Sequence, residues 1–164
     1  MTDLLTALEN SGPAQLIANS LWGFPILEIV HLSGLTLVFA GMVIIDTRLI
    51  GLRKDISAQA VLRIVLPFVW AGFAVSAFSG AWLFAFEAST LIGDGPFILK
   101  MALLALAGAN ALFMHKVGMR NIHAWDADAM PPAVVRISAA ASLLMWLTIL
   151  ACGRLIAYFY PVAF

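Results

Sequence analysis

Four stretches of this chain run for about twenty residues or more with almost no charge, at about 21–49, 61–86, 96–116 and 133–160. Roughly 20 apolar residues in a helix match the thickness of a bilayer's hydrocarbon core. Composition agrees: of 164 residues 63% are hydrophobic and only 11% charged, against roughly 25% charged in a soluble domain. Lipid can solvate that much apolar surface, whereas a soluble core of this size cannot hide it. The expected fold is an all-α membrane protein, a single domain over 1–164 forming a four-transmembrane-helix bundle. Met1 to Glu9 can form a short amphipathic helix with Leu4, Leu5 and Leu8 on one side, and Pro13 is placed to open a second. Both short helices are expected at the membrane interface. The N-terminus lacks the Lys/Arg cluster of a cleavable signal peptide.

Lysine and arginine set the orientation. Arg53 and Lys54, flanked by Arg48 and Arg63, follow the first span, and Arg120, flanked by Lys116 and Arg136, follows the third. The segments before Leu21 and between Phe86 and Pro96 contain none. Both basic loops are therefore expected in the cytoplasm and both termini outside, in a bacterial inner membrane. Trp22 and Phe24, and Tyr158 and Tyr160, mark the outer ends of the first and fourth spans. Zero net charge gives no reason to expect nucleic acid. The single Cys152 excludes an intrachain disulfide and a thiol metal motif. No Gly-rich phosphate loop, zinc motif or hydrolase triad is present. Gly72, Ser76 and Gly80 form a small-residue ridge on the second span, which lets another helix come close. That helix belongs either to this chain or to a second copy. Gly34 and Gly41 share a face with His31 on the first span, and Gly34 serves either helix packing or a flat cofactor.

Ionisable groups at membrane depth cost about 2.5–3.5 kcal/mol on insertion scales, so each needs a reason. At about 1.5 Å of rise per residue, His31 lies roughly 10–14 Å below the outer interface, with Glu28 one turn above it. Lys100 is about 6 Å inside the third span, and Arg154 roughly 6–9 Å inside the fourth. One reading is a buried ion-pair cluster, Glu28 neutralised by Lys100 or Arg154 with His31 bonded nearby. The other is a haem b site. Imidazole from a membrane helix is an axial ligand for haem iron, Lys100 and Arg154 lie at a depth suited to propionates, and Glu28 could orient His31. His115, at the cytoplasmic end of the third span, is a second candidate metal ligand, with Met114 or Met119 as candidate partners, or else an interfacial residue; His123 is a solvated loop residue. Asp46 is expected to meet Lys116 or Arg120 across the bundle.

The stretches PILEIVHLSGLTLVFAGMVIIDTRLIG, Pro25 to Gly51, and GPFILKMALLALAGANALFMH, Gly95 to His115, carry a resemblance. With their E-x-x-H-x-x-G, D-x-R-L-x-G, P-F-x-x-K and N-x-x-x-x-H patterns, they look like an uncharacterised family of four-span bacterial membrane proteins, a domain of unknown function. More distantly the chain is similar to the copper-resistance membrane domain CopD and to the small membrane-bound haem-containing protoporphyrinogen oxidase. That similarity implies a haem-associated histidine and lysine at His31 and Lys100, with Lys100 a second axial ligand, and brings in copper as an alternative metal. Unlike those relatives, the chain has no tryptophan-rich sequence after the first-span histidine and no external Met/His tract. Three functions remain open: a haem b membrane protein carrying electrons to or from a redox partner or oxidising a small substrate, a cofactor-free transporter or assembly subunit, and a structural bundle that makes homo-oligomers through the Gly72–Gly80 ridge.

Overall fold

The structure is a computed structural model and describes residues 2–126 and 129–159. Tyr160, the last residue of the fourth expected span, lies outside them. Two short helices, α1 (Thr2–Glu9) and α2 (Gly12–Ala18), precede α3 (Gly23–Ile50) and α4 (Ala58–Phe86). A four-residue turn α5 (Ala88–Leu91) leads to α6 (Gly95–Phe113), and α7 (Ala133–Phe159) is the last described helix. There is no strand among the described residues. Four helices are long and apolar enough to cross a membrane. They make the architecture of a multi-pass membrane protein.

The helix ends follow from local chemistry. Gly51, at φ +107°, closes α3 in the left-handed conformation that a side chain resists. The expected second span begins at 61, but α4 starts three residues earlier, because the Ser57 side chain accepts from the Ala60 amide. Asp94 caps α6 in the same way, its carboxylate accepting from Phe97 N at 2.8 Å, with Pro96 in the first turn. Beyond Phe113 the third span continues as a π-helical turn, Met114–Gly118. Pro67 sits inside α4 without ending it.

The four spans form a row whose two outer helices, α4 and α6, also meet where Phe84 stacks on Phe97. α3 packs along α4 and on its other side against α7, and α7 packs against α6. The row has a terminal end, where α1, α2 and α5 gather, and a basic end, where the loops 51–57 and 119–126 meet. At the terminal end α1 contacts α5 and α2 contacts α3 and α4. Leu5 of α1 is buried while Leu4 and Leu8 stay exposed. The core runs through Val38, Val69, Ala139, Trp146 and Ile149, and Trp125 plugs it at the basic end. Large apolar side chains such as Ile29, Phe68, Trp70, Ile137 and Leu144 point outward. Water would penalise such a surface and hydrocarbon would not.

The ridge on α4 is spent inside this chain, as ordinary helix packing and not as an oligomer face. A Cβ at Gly72 would stand 2.8 Å from the Gly34 carbonyl oxygen, and one at Gly34 would stand 2.6 Å from Ser76 Oγ. Gly41 meets Val69 and Val65 lower on the same seam. The two backbones approach this closely because neither carries a side chain there.

Candidate functional site

His31 projects from α3 onto the upper part of that seam. Its Nδ1 lies 3.0 Å from the Ser76 carbonyl oxygen and 3.2 Å from Ser79 Oγ. A carbonyl only accepts, so Nδ1 carries a proton and donates it. The ring Cε1 rests over Gly80, where a Cβ would be only 2.9 Å away. Ser76 Oγ in turn donates to the His31 carbonyl at 3.3 Å, and Ser79 Oγ donates to Val75 O at 2.6 Å. Small residues on α4 thus seat the imidazole and fix its tautomer. When the ring is neutral, the proton at Nδ1 leaves a lone pair at Nε2, which has no hydrogen-bond partner among the described residues. A metal-ligating histidine is commonly oriented this way, its far N–H given to a backbone carbonyl.

The residues expected around His31 separate. The Ser76 carbonyl, not Glu28, orients the ring, and Glu28 is half-buried. Lys100 of α6 lies within electrostatic reach of His31 and close to α7, its Nζ 3.7 Å from where a Cβ on Gly153 would be. Arg154 is exposed. The expected ion-pair cluster is not formed: among the described residues the one ion pair joins exposed Arg53 and Asp55 at 2.9 Å. The face of Gly34 is filled by Ser76 and the Gly72 carbonyl, which leaves a flat cofactor no room there. His115 is exposed, while Met114 and Met119 pack on the core. Among the described residues no three of His, Cys, Asp and Glu come together as a metal site.

At the basic end the structure has a clasp that the sequence reading missed. Buried Arg48 donates through Nε to the Ile56 carbonyl and through Nη2 to the Asp126 carbonyl, the latter at 2.6 Å. The Asp126 carboxylate accepts from Ser57 Oγ and from Gln59 N, both at 2.8 Å. Burial opposes ionisation of Asp126, but the Gln59 amide, the Ser57 hydroxyl and Arg48 together hold its carboxyl below the usual range. Gln59 Nε2 lies 2.8 Å from Nδ1 of His123, which is exposed as a loop histidine. These partners are far apart in sequence, and Arg48 reads there as one more basic loop residue. A Ser57 cap just before an apolar run was the one local signal.

Asp46 also departs from expectation. It is buried, and its hydrogen-bonding neighbour is the Ser142 hydroxyl of α7, not Lys116 or Arg120. At the terminal end, Glu9 Oε1 accepts from Ser89 N at 2.8 Å and Ser89 Oγ at 2.5 Å, tying α1 to α5.

The fold and site together define a class: a four-span helical membrane bundle with one interior histidine held on a serine-lined helix. Set against family models, curated proteins and solved structures, the chain finds no match.

Proposed function

We propose that the protein is a haem b-binding membrane protein that transfers electrons or carries out a small redox reaction. On this reading it lies in a bacterial inner membrane with its basic end in the cytoplasm, and the site is in the outer half. The observation that carries the reading is the His31 ring, its Nδ1–H held by the Ser76 carbonyl and Nε2 left without a partner. A polar ring buried in a span is expensive unless it is used, and one ring nitrogen here is unused. Haem needs only one or two protein ligands. A copper site needs more donors gathered than the described residues bring together, so haem fits the donor set better.

His31 Nε2 would hold the iron, and the iron would supply the one-electron chemistry. Ser76, Ser79 and Gly80 keep the imidazole from turning. Lys100, in electrostatic reach, balances a propionate or completes the ligation. Arg154, exposed near the same end, can meet a second propionate at the surface. The orientation rests on the positive-inside rule alone.

The test is an absorption spectrum of detergent-purified protein, oxidised and dithionite-reduced, with a pyridine haemochrome assay. The expected result is near-stoichiometric haem b with sharp reduced bands, lost or shifted in His31→Ala. A colourless protein from haem-replete cells overturns the proposal.

A further inference from the structure

Asp46 stands five residues before Gly51, roughly 7 Å from the basic end of α3, and is only 2% exposed. Its Oδ2 is sealed from solvent and has no hydrogen-bond partner. No cation answers it. Arg48, the other charged residue on this stretch of α3, gives Nε and Nη2 to the Ile56 and Asp126 carbonyls; its buried Nη1 has no partner, but two residues on along a helix it does not face Asp46, and no ion pair joins them. Arg63 on α4, Arg136 on α7, His115 and Lys116 in the π turn, and Arg120 in the following loop are all exposed, and none forms an ion pair with it. The side chains that do surround this depth are neutral. Ser142 hydrogen-bonds the carboxyl. One turn along α7 toward the basic end, Ser138 Oγ donates to Asn110 Oδ1 at 2.6 Å, and Asn110 Nδ2 donates back to the Ser138 carbonyl at 3.2 Å.

An ionised Asp46 would therefore hold a full charge at membrane depth with one hydroxyl to stabilise it and one oxygen bare. Such a group neutralises itself where it can. A neutral acid fits the same space far better. Its O–H donates to Ser142 Oγ, and what stays unpaired at Oδ2 is a carbonyl-type oxygen, the kind of buried acceptor that proteins tolerate most often. We propose that Asp46 is a proton-binding site in the basic half of the membrane, occupied at neutral pH and bonded to the Ser142 hydroxyl. The site is separate from His31, and its test needs no haem.

Infrared spectra of protein reconstituted in lipid, in H2O and D2O at pH 7, read the proton directly. A carboxylic-acid C=O band is expected that moves down in D2O, shifts on ¹³C-aspartate labelling and vanishes in Asp46→Asn. Ser142→Ala should keep the band but move it, because the hydrogen bond is lost. Asn has the shape of the neutral acid, so Asp46→Asn should unfold in detergent at the wild-type temperature or above it. Absence of an aspartic-acid band overturns the proposal, and the isotope label decides this even if the variant does not fold. A band abolished by sodium or potassium chloride at constant pH also overturns it and makes Asp46 a metal-cation site instead.

Discussion

Gly34→Ala tests the seam on which the site rests. A methyl group there would lie 2.6 Å from Ser76 Oγ, 2.8 Å from the Gly72 carbonyl oxygen and 2.9 Å from Ser76 N. Two of those three atoms are backbone, so rotating a side chain cannot relieve the clash and α4 must move away from α3. Overpacking of this kind costs about 1–3 kcal/mol. Separation also stretches the His31–Ser76 hydrogen bonds in both directions, a further loss of about 1 kcal/mol. Against this, alanine gains up to about 1 kcal/mol over glycine in a helix, so the net destabilisation is about 1–3 kcal/mol. Two further glycines grade the effect. At Gly41 the atoms met first are γ-methyls of Val69 and Val65, and a valine in a helix is held to one rotamer, so Gly41→Ala should also destabilise, by about 1–3 kcal/mol. At Gly108 nothing lies within 4 Å, so Gly108→Ala should stabilise by up to about 1 kcal/mol. Thermal or SDS unfolding in detergent measures all three. If Gly34→Ala proves as stable as Gly108→Ala, the close approach of α3 and α4 is wrong.

Gly80→Ala should push the His31 ring off its seat, since the new methyl would be 2.9 Å from Cε1. The expected outcome is loss or spectral shift of bound haem with the four spans still folded by circular dichroism, and an unchanged spectrum counts against His31 as ligand. Asp126→Ala removes the acceptor for Ser57 and Gln59 and should cost about 1–2 kcal/mol in the same unfolding assay. The docking of α1 on α5 should depend on pH in two opposite ways. The Ser89 hydroxyl and amide hold the Glu9 carboxyl below its ordinary 4.5, so its contribution is complete above that value and is lost as pH falls through the lowered one. Burial, and then Glu9, push Glu87 upward, so its ionisation works against docking as pH rises through the raised value. Amide-exchange protection of α1 should therefore peak near 4.5, where the Glu9 contribution is complete, and fall from there up to the raised value of Glu87. Glu87→Gln should hold the peak level up to neutral pH, and protection that rises steadily down to pH 3 refutes the Glu9 reading.

Depth was legible in the sequence and direction around each helix mostly was not. Four spans, two interfacial helices and the turn at Asp94–Pro96 follow from apolar length and cap residues, which are local. Lys100 and Arg154 have similar depth, yet one is half-buried beside α7 and the other exposed. In a soluble helix the apolar stripe would reveal the difference. Here the lipid-facing and core-facing sides are both apolar, so no stripe exists. The exception was the ridge at Gly72, Ser76 and Gly80, because small residues mark close approach in any solvent. For Asp46 the sequence offers nearby cations, Lys116 and Arg120, but in a membrane bundle a neutral hydroxyl on a neighbouring helix, here Ser142, serves a buried carboxyl as well.

The polar groups of the interior also explain why the row α4–α3–α7–α6 holds together. Without a hydrophobic driving force between helices in lipid, interhelical hydrogen bonds and close packing must do that work. Each seam has at least one such pair: His31 with Ser76 and Ser79 joins α3 to α4, Asp46 with Ser142 joins α3 to α7, and Asn110 with Ser138 joins α6 to α7. Between α4 and α6 there is no hydrogen bond among the described residues. Their tie is the stack of Phe84 on Phe97 at the terminal end, with ring centroids 5.5 Å apart. This seam is therefore the one that parts with least loss, and it does so at the end where His31 and Lys100 are found. A flat group seeking Nε2 meets three seams closed by hydrogen bonds and one closed by a pair of stacked rings.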